Sequence, residues 1–328
     1  MLRRKVAVLM VVCAAVGSGC SSNQPSDQLM VTDNPVAAAA AESPPASTTP
    51  AGTVTALGGV TAMAFEPTSA TLAVATNGAV QLFHLGDTLA PTGSVPLAAE
   101  SLTTGGDGFL ATAASQVVRI GVPDGRTSPA TEVQGDAVSA TTFDGSTLVA
   151  LRDKRAVAVV EGSRVQRTIS GDLMSADQVL STGKRAVVLD RLRNAVFRLD
   201  VGDGRIAEGL RAGQGATNAV SDRFGRVLVT DTRGDALLAF SADPLLLRQN
   251  YPVAGAPYGI TYDPERDIAW VTLTETNEVV GYEVAGEQPK EKYRFPTVSQ
   301  PNTVAVDPET GRVIVASGTG DGIQVISI

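Results

Sequence analysis

The sequence predicts an all-β protein, because one phrase of short β-prone runs and polar turns is stated seven times. The phrase restarts at Val60, Ala99, Ala137, Ser175, Ala216, Pro257 and Pro301, at spacings of 39, 38, 38, 41, 41 and 44 residues. These spacings lie in or near the period of propeller blades, so the expected architecture is a seven-bladed β-propeller of four-stranded antiparallel blades. Two further observations support it: the positions of the prolines, and a β-like segment left over at the start of the domain.

Blade five shows the unit. Thr217–Ser221, Arg226–Asp231, Ala236–Phe240 and Gln249–Val253 are each β-prone and each bounded by turn residues. Asp263-Pro264-Glu265-Arg266 and Asp307-Pro308-Glu309-Thr310 place Asp first and Pro second, as a type I turn prefers, so consecutive strands double back as hairpins. Pro96, Pro252 and Pro296 fall in fourth strands. A ring that removes an N–H is tolerated on a sheet edge, and the fourth strand is the outer edge of a radial blade. Thr61-Ala62-Met63-Ala64 and Thr303-Val304-Ala305-Val306 are largely small or β-branched, as expected of strands crowded around an axis.

The repeat from Pro301 has only three strands before the chain ends at Ile328. Thr53-Val54-Thr55-Ala56-Leu57 stands unassigned before the first repeat and supplies the fourth, closing the ring from the opposite end of the sequence and burying an open edge. Blades two and three are the weakest repeats, with Thr104–Gly108 and Phe143–Ser146 as shortened turns, and a six-bladed ring is the competing count. The propeller domain is placed at residues 53–328.

Ahead of it, residues 1–19 read as a lipoprotein signal peptide. Arg3, Arg4 and Lys5 precede an eleven-residue apolar stretch, Val6–Val16, too short to span a bilayer. Val16-Gly17-Ser18-Gly19-Cys20 resembles a bacterial lipobox, with Gly17 where that pattern usually has Leu, and Cys20 is the residue that would be lipidated. The only other cysteine, Cys13, lies inside the leader, so no internal disulfide is expected. Two or three acyl chains at Cys20 would satisfy the two-signal requirement for stable anchoring. Residues 20–52, rich in Ser, Pro, Ala and Thr and holding the run Ala37–Ala41, are expected to form a disordered tether reaching about 30 Å.

The formal charge of −8 argues against nucleic acid as a partner and against adhesion to anionic lipid through a basic patch. The expected location is the outer face of the cytoplasmic membrane, in the cell envelope, as a monomeric propeller. Arginine far outnumbers lysine, a weak pointer to a GC-rich actinobacterial genome.

Val304-Ala305-Val306-Asp307-Pro308-Glu309-Thr310-Gly311-Arg312-Val313-Ile314-Val315 resembles the YVTN/YncE-type propeller repeat. The lipobox, the tether and Leu210–Thr217, with Asp231-Thr232-Arg233-Gly234, Asp243-Pro244-Leu245, Ala256-Pro257-Tyr258-Gly259 and Gln300-Pro301-Asn302, resemble the actinobacterial LppL-like prolipoproteins. That resemblance covers mainly the last 120 residues or so. It implies a surface propeller lipoprotein and no particular reaction.

Candidate site residues come from loops at one end of the ring. Strand-entry positions carry Glu100, Asp177, Asn218, Tyr258 and Asn302, an oxygen-rich set of a kind that Ca²⁺ takes. Aligning the repeats puts Glu100, Tyr258 and Asn302 in one register and Asp177 with Asn218 in the next, so alternation along a strand is expected to aim the two groups apart. Loops between second and third strands carry Arg152, Asp153, Lys154 and Arg155, then Asp190, Arg191, Arg193 and Asn194, then Asp231, Arg233 and Asp235. An anion could meet the arginines here, against the simpler reading of surface ion pairs. The residues chosen as ligand or partner contacts are Asp177, Asn218, Asp231, Arg233, Tyr258 and Asn302.

His84 is the only histidine and falls in the third strand of blade one, where a packed or edge residue is expected and not a base, so neither a Ser-His-Asp constellation nor a multi-histidine metal site is expected. Trp270 reads as inter-blade core, and no cofactor or catalytic residue is assigned. The expected function is a non-enzymatic binding or protein-interaction scaffold that meets an envelope protein or cell-wall glycan. The alternative is a Ca²⁺-dependent, lactonase-like hydrolase with Asp177 and Asn218 as metal ligands.

Overall fold

A computed structural model describes Leu29 and residues 34–328. The leader and Cys20 lie outside the described residues. Seven four-stranded antiparallel sheets surround an axis, six of them running from an inner to an outer strand in chain order and the seventh taking its outer strand from the start of the domain. The inner strands are Val60–Glu66, Ser101–Thr104, Ala137–Phe143, Gln178–Ser181, Ala216–Ser221, Pro257–Asp263 and Pro301–Val306. The count of seven holds, and the six-bladed alternative falls. Blade two is the thinnest, with a fourth strand of only Thr131–Glu132.

The last blade closes as expected. Thr53–Thr55 pairs antiparallel with Ile323–Ile326, bringing Thr53 opposite Val325, Val54 opposite Gln324 and Thr55 opposite Ile323. Pro252 and Pro296 end the outer strands of blades five and six, and Pro96 follows that of blade one by one residue.

A blade is a thin sheet with two apolar faces, and the structure buries both against its neighbours. The buried apolar side chains fall into seven clusters, each shared by two adjacent blades. Trp270 is fully buried in the cluster between blades six and seven, its ring 5.5 Å from that of Tyr293, as the sequence suggested. The cluster joining the ends of the chain sets Val60, Leu72 and Phe83 against Ile314, Ala316 and Ile323. Among the described residues no helix is long and apolar enough to cross a membrane.

The first hairpin of several blades is built from one device. Asp263 Oδ1 accepts the Glu265 and Arg266 amides at 3.0 and 3.2 Å, and Asp307 Oδ1 accepts the Glu309 amide at 3.1 Å. Arg266 pairs with Asp263 and also donates to the Pro308 carbonyl of the next blade. Arg312 pairs with Asp307 and reaches the Gly86 and Leu85 carbonyls of blade one, across the closure. The Asp-Pro turn that marks the repeat therefore also staples neighbouring blades at the end of the ring away from the candidate site. In blade one Glu66 takes the same place, accepting from the Thr68 and Ser69 amides and the Ser69 hydroxyl.

Two outcomes follow. A chain beginning at Gly58 lacks the clasp, so hydrogen exchange of the Ile323–Ile326 amides rises more than that of any other buried strand and the thermal midpoint drops by about 5–10 °C. Burial alone would raise the Glu66 carboxyl, but the Ser69 and Thr68 hydrogen bonds outweigh it and hold the group below its ordinary 4.5. The stability this contributes is fully present above the unfolded value and is lost as pH falls through the lower folded one. Glu66→Gln is accordingly less stable than the parent near neutrality, and thermal unfolding at about pH 3 shows the difference shrinking.

Candidate functional site at the channel mouth

The axial channel has two ends of opposite character. One widens into a cavity of about 480 Å³ lined by Phe65, Thr104, Ser181, Tyr262 and Pro308 among others, with no charged side chain. The other is a mouth of about 320 Å³ that carries Glu100, Arg152, Asp177 and Arg191 together with Gln178, Asn218, Tyr258 and Asn302. The charge of the channel is thus confined to the end where strands enter.

Glu100, Asp177, Asn218, Tyr258 and Asn302 all line this mouth, so the register argument that separated them is corrected. In blades five, six and seven a bulge opens the inner strand, seen as a register shift between Ala216 and Asn218, between Pro257 and Ile260, and between Pro301 and Thr303, whereas Glu100 and Asp177 stand just ahead of the inner strands Ser101–Thr104 and Gln178–Ser181, where strand alternation does not apply. Blades one and three carry it too. An inserted residue breaks the strict alternation of a strand, and neighbouring side chains then share one side. Tyr258 and Asn302 are themselves inserted residues.

The side chains are held firmly. Asp177, whose side chain is 6% exposed, accepts from Arg152 Nε at 2.9 Å, from the Arg191 amide at 2.9 Å and from the Ser175 hydroxyl. Arg152 also pairs with Glu100 at 3.3 Å. Burial works against the charge on Arg152, but the hydrogen bond and charge of Asp177, with those of Glu100, hold its guanidinium above the ordinary value. Gln178 spans two blades, donating to the Ala219 carbonyl at 2.8 Å and accepting the Ala219 amide at 2.9 Å. Asn218 Nδ2 donates to the Tyr258 carbonyl at 3.1 Å, and Asn302 Oδ1 accepts from Gln300 Nε2 at 3.0 Å.

This geometry bears on a metal. Both oxygens of Asp177 are engaged, one of them by an arginine, and a cation placed there would face that positive charge. Among the described residues no three His, Cys, Asp or Glu side chains group to hold a metal ion. His84 is exposed on the third strand of blade one and does not line the mouth.

Two chosen residues do not line the mouth. Asp231 is 3% exposed, and its carboxylate accepts the Gln214, Gly215 and Gly234 amides, so it braces the loop entering blade five and is not offered to a ligand. Gly213 and Gly234 leave the room it needs, because a Cβ on either would fall 1.8 or 2.0 Å from Asp231 Oδ2. Arg233 is exposed and donates to the Ala37 carbonyl at 3.2 Å. Asn194, Asp235 and Asn277 repeat the bracing from left-handed turn positions, with φ of 51°, 48° and 54°, and each accepts an amide from the entry loop of the following blade. Arg152 and Arg191 were visible in sequence as rim residues. Nothing there distinguished them from Arg155 or Arg193, because which arginine turns inward depends on the hairpin's path.

The segment ahead of the domain also differs from expectation. Residues 37–44, read from composition as free tether, lie along the rim of the mouth from blade four to blade seven. Arg191 Nη2 donates to the Ala38 carbonyl, Gln300 Nε2 to that of Ala41 at 2.8 Å, and Asn277 Nδ2 to that of Pro44 at 2.8 Å. Ser43 bonds to Gln300 through its amide and hydroxyl and to the Thr274 carbonyl at 2.6 Å. Small side chains permit this approach: Ala38 is 1% exposed and lies against Gly215, where a Cβ would come within 3.0 Å.

Replacing Asp231 by Ala strands three backbone amides and is expected to cost on the order of 3 kcal/mol. Asp231→Asn keeps an accepting oxygen and loses less, and denaturant unfolding of the two variants measures the difference.

No family model matches the chain, and no curated protein matches it in sequence. Solved structures do share its fold. A chain of the mitotic checkpoint complex aligns with TM-score 0.71 at 12% identity, covering 89% of this chain and 98% of that one. Streptogramin B lyase aligns at 0.69 with 10% identity over 84% of this chain and 96% of that one. Hydrazine synthase of Kuenenia stuttgartiensis gives 0.68 with 15% identity over 84% and 97%. Their names span a lyase, a synthase and a checkpoint assembly, and at such identities they establish the propeller fold alone.

Proposed function

We propose that this chain is an envelope lipoprotein, held at the outer face of the membrane through Cys20, whose propeller is a non-enzymatic binding module that presents the charged channel mouth to a cell-envelope ligand or protein. The observation that carries the reading is the asymmetry of the channel, with four charged side chains at one end and none at the other. Ligand sites in concave folds are mostly preformed and marked by a few convergent polar groups. The lipobox-like Val16–Cys20 and the resemblance to LppL-like prolipoproteins support the anchor.

The hydrolase reading keeps one observation in its favour, the convergence of Glu100, Asp177, Asn218 and Asn302 oxygens on one cavity. The Arg152–Asp177 pair opposes it, since a metal would have to displace that guanidinium. Calorimetric titration with Ca²⁺ decides between the two: the binding-module reading expects no heat and no thermal stabilisation.

Cys20→Ser is expected to move the protein from the membrane fraction to the soluble fraction. A photoreactive residue at Asn302 in cells is expected to give one discrete adduct. Diffuse labelling would show that this face is not used.

A further inference from the structure

Arg191 stands apart from every other charged group at the mouth. Arg152 is matched by Glu100 and Asp177, whereas the Arg191 guanidinium forms no ion pair among the described residues. Its Nη2 donates to the Ala38 carbonyl, and its Nε is buried with no hydrogen-bond partner among the described residues. Nε–H and Nη2–H lie parallel on one edge of the guanidinium plane, the fork that a carboxylate fills with two oxygens. A peptide carbonyl has one oxygen and fills half of it. Arg191 is half-buried, but a buried N–H left unpaired on a guanidinium is costly and calls for a reason.

We propose that the Nε–Nη2 edge of Arg191 is a carboxylate-binding subsite of the channel mouth and that residues 37–44 occupy it as an exchangeable strap. This rests on the reading of the mouth as the binding face. A carboxylate that takes both donors must displace the Ala38 carbonyl, because Nη2 lies on the same edge. Ligand and strap therefore exclude one another, and binding frees the segment that joins the propeller to the N-terminal leader. The strap is suited to leaving. It makes no strand pairing, and its hold consists of single hydrogen bonds from Arg191, Arg233, Gln300 and Asn277 to its carbonyls, the contacts of Ser43 and the burial of one small side chain, Ala38. The bound group is defined as a carboxylate, whether borne by a small organic acid or by a wall polymer, and Asn218 and Thr303, which line the same mouth, offer polar groups to the rest of it.

The test uses the full chain in detergent, with succinate, polyglutamate and inorganic phosphate as probes and hydrogen exchange of residues 37–44 as the readout. Succinate or polyglutamate is expected to saturate and to raise exchange across the strap, with Ser43 the clearest reporter because its amide is bonded to Gln300. Phosphate alone producing the effect would overturn the assignment to carboxylate. Arg191→Gln is expected to abolish both binding and the exchange response, and Arg191→Lys, which keeps the charge without the fork, to weaken binding more than tenfold. Ser43→Ala touches no residue of the mouth but removes two strap hydrogen bonds, and it is expected to tighten succinate binding by about tenfold. A merely structural role for Arg191 would leave that affinity unmoved. Saturation without change in strap exchange, or equal affinity in Arg191→Gln, overturns the proposal even where Asn302 still yields its discrete adduct. Diffuse labelling at Asn302 overturns the underlying reading instead.

Discussion

Each blade is too thin to bury its own apolar faces, and the ring exists because every face finds a neighbour. Seven clusters serve seven blade interfaces, so removing any one contact surface exposes two. Closure is therefore a condition for the whole core, and the pairing of Thr53–Thr55 with Ile323–Ile326 meets it at the one place where chain continuity cannot. The arginine staples from Arg266 and Arg312 to the next blade act at the same interfaces from the opposite end of the ring.

Most of this architecture was legible because it is periodic. The blade count, the inner strand positions, the outer-strand prolines and the borrowed first strand all follow from a repeat that the turns punctuate. The Asp-Pro turns were also readable in kind, since a carboxylate followed by proline has few other uses in a hairpin. Their second role, placing an arginine on the neighbouring blade, was not, because it depends on the angle between sheets.

The mouth was legible as a set of loops and misread in detail. Strict strand alternation assigned Asp177 and Asn218 to a different side from Tyr258 and Asn302, but bulges break the alternation in blades five and six, and Asp177 lies ahead of its strand altogether. Asp231 was chosen as a member of a rim loop between second and third strands, yet three backbone amides claim it. A lone carboxylate in a turn serves backbone and ligand alike in sequence, and only the path of the adjacent loop separates the two. The alanine run misled for a related reason. Composition poor in large apolar residues cannot build a core, but small side chains are what allow a chain to lie flush on a surface bearing glycine and side-chain amide donors.

The clasp and the strap are consecutive along the chain, and this orders their response to force. A pull on the N-terminus meets the contacts of residues 37–44 one after another before it loads Thr53–Thr55, where three residue pairs guard the integrity of the ring. The segment behaves as a mechanical fuse in series with a lock. Tension is taken up first by peeling this segment from the rim, and the propeller stays whole meanwhile.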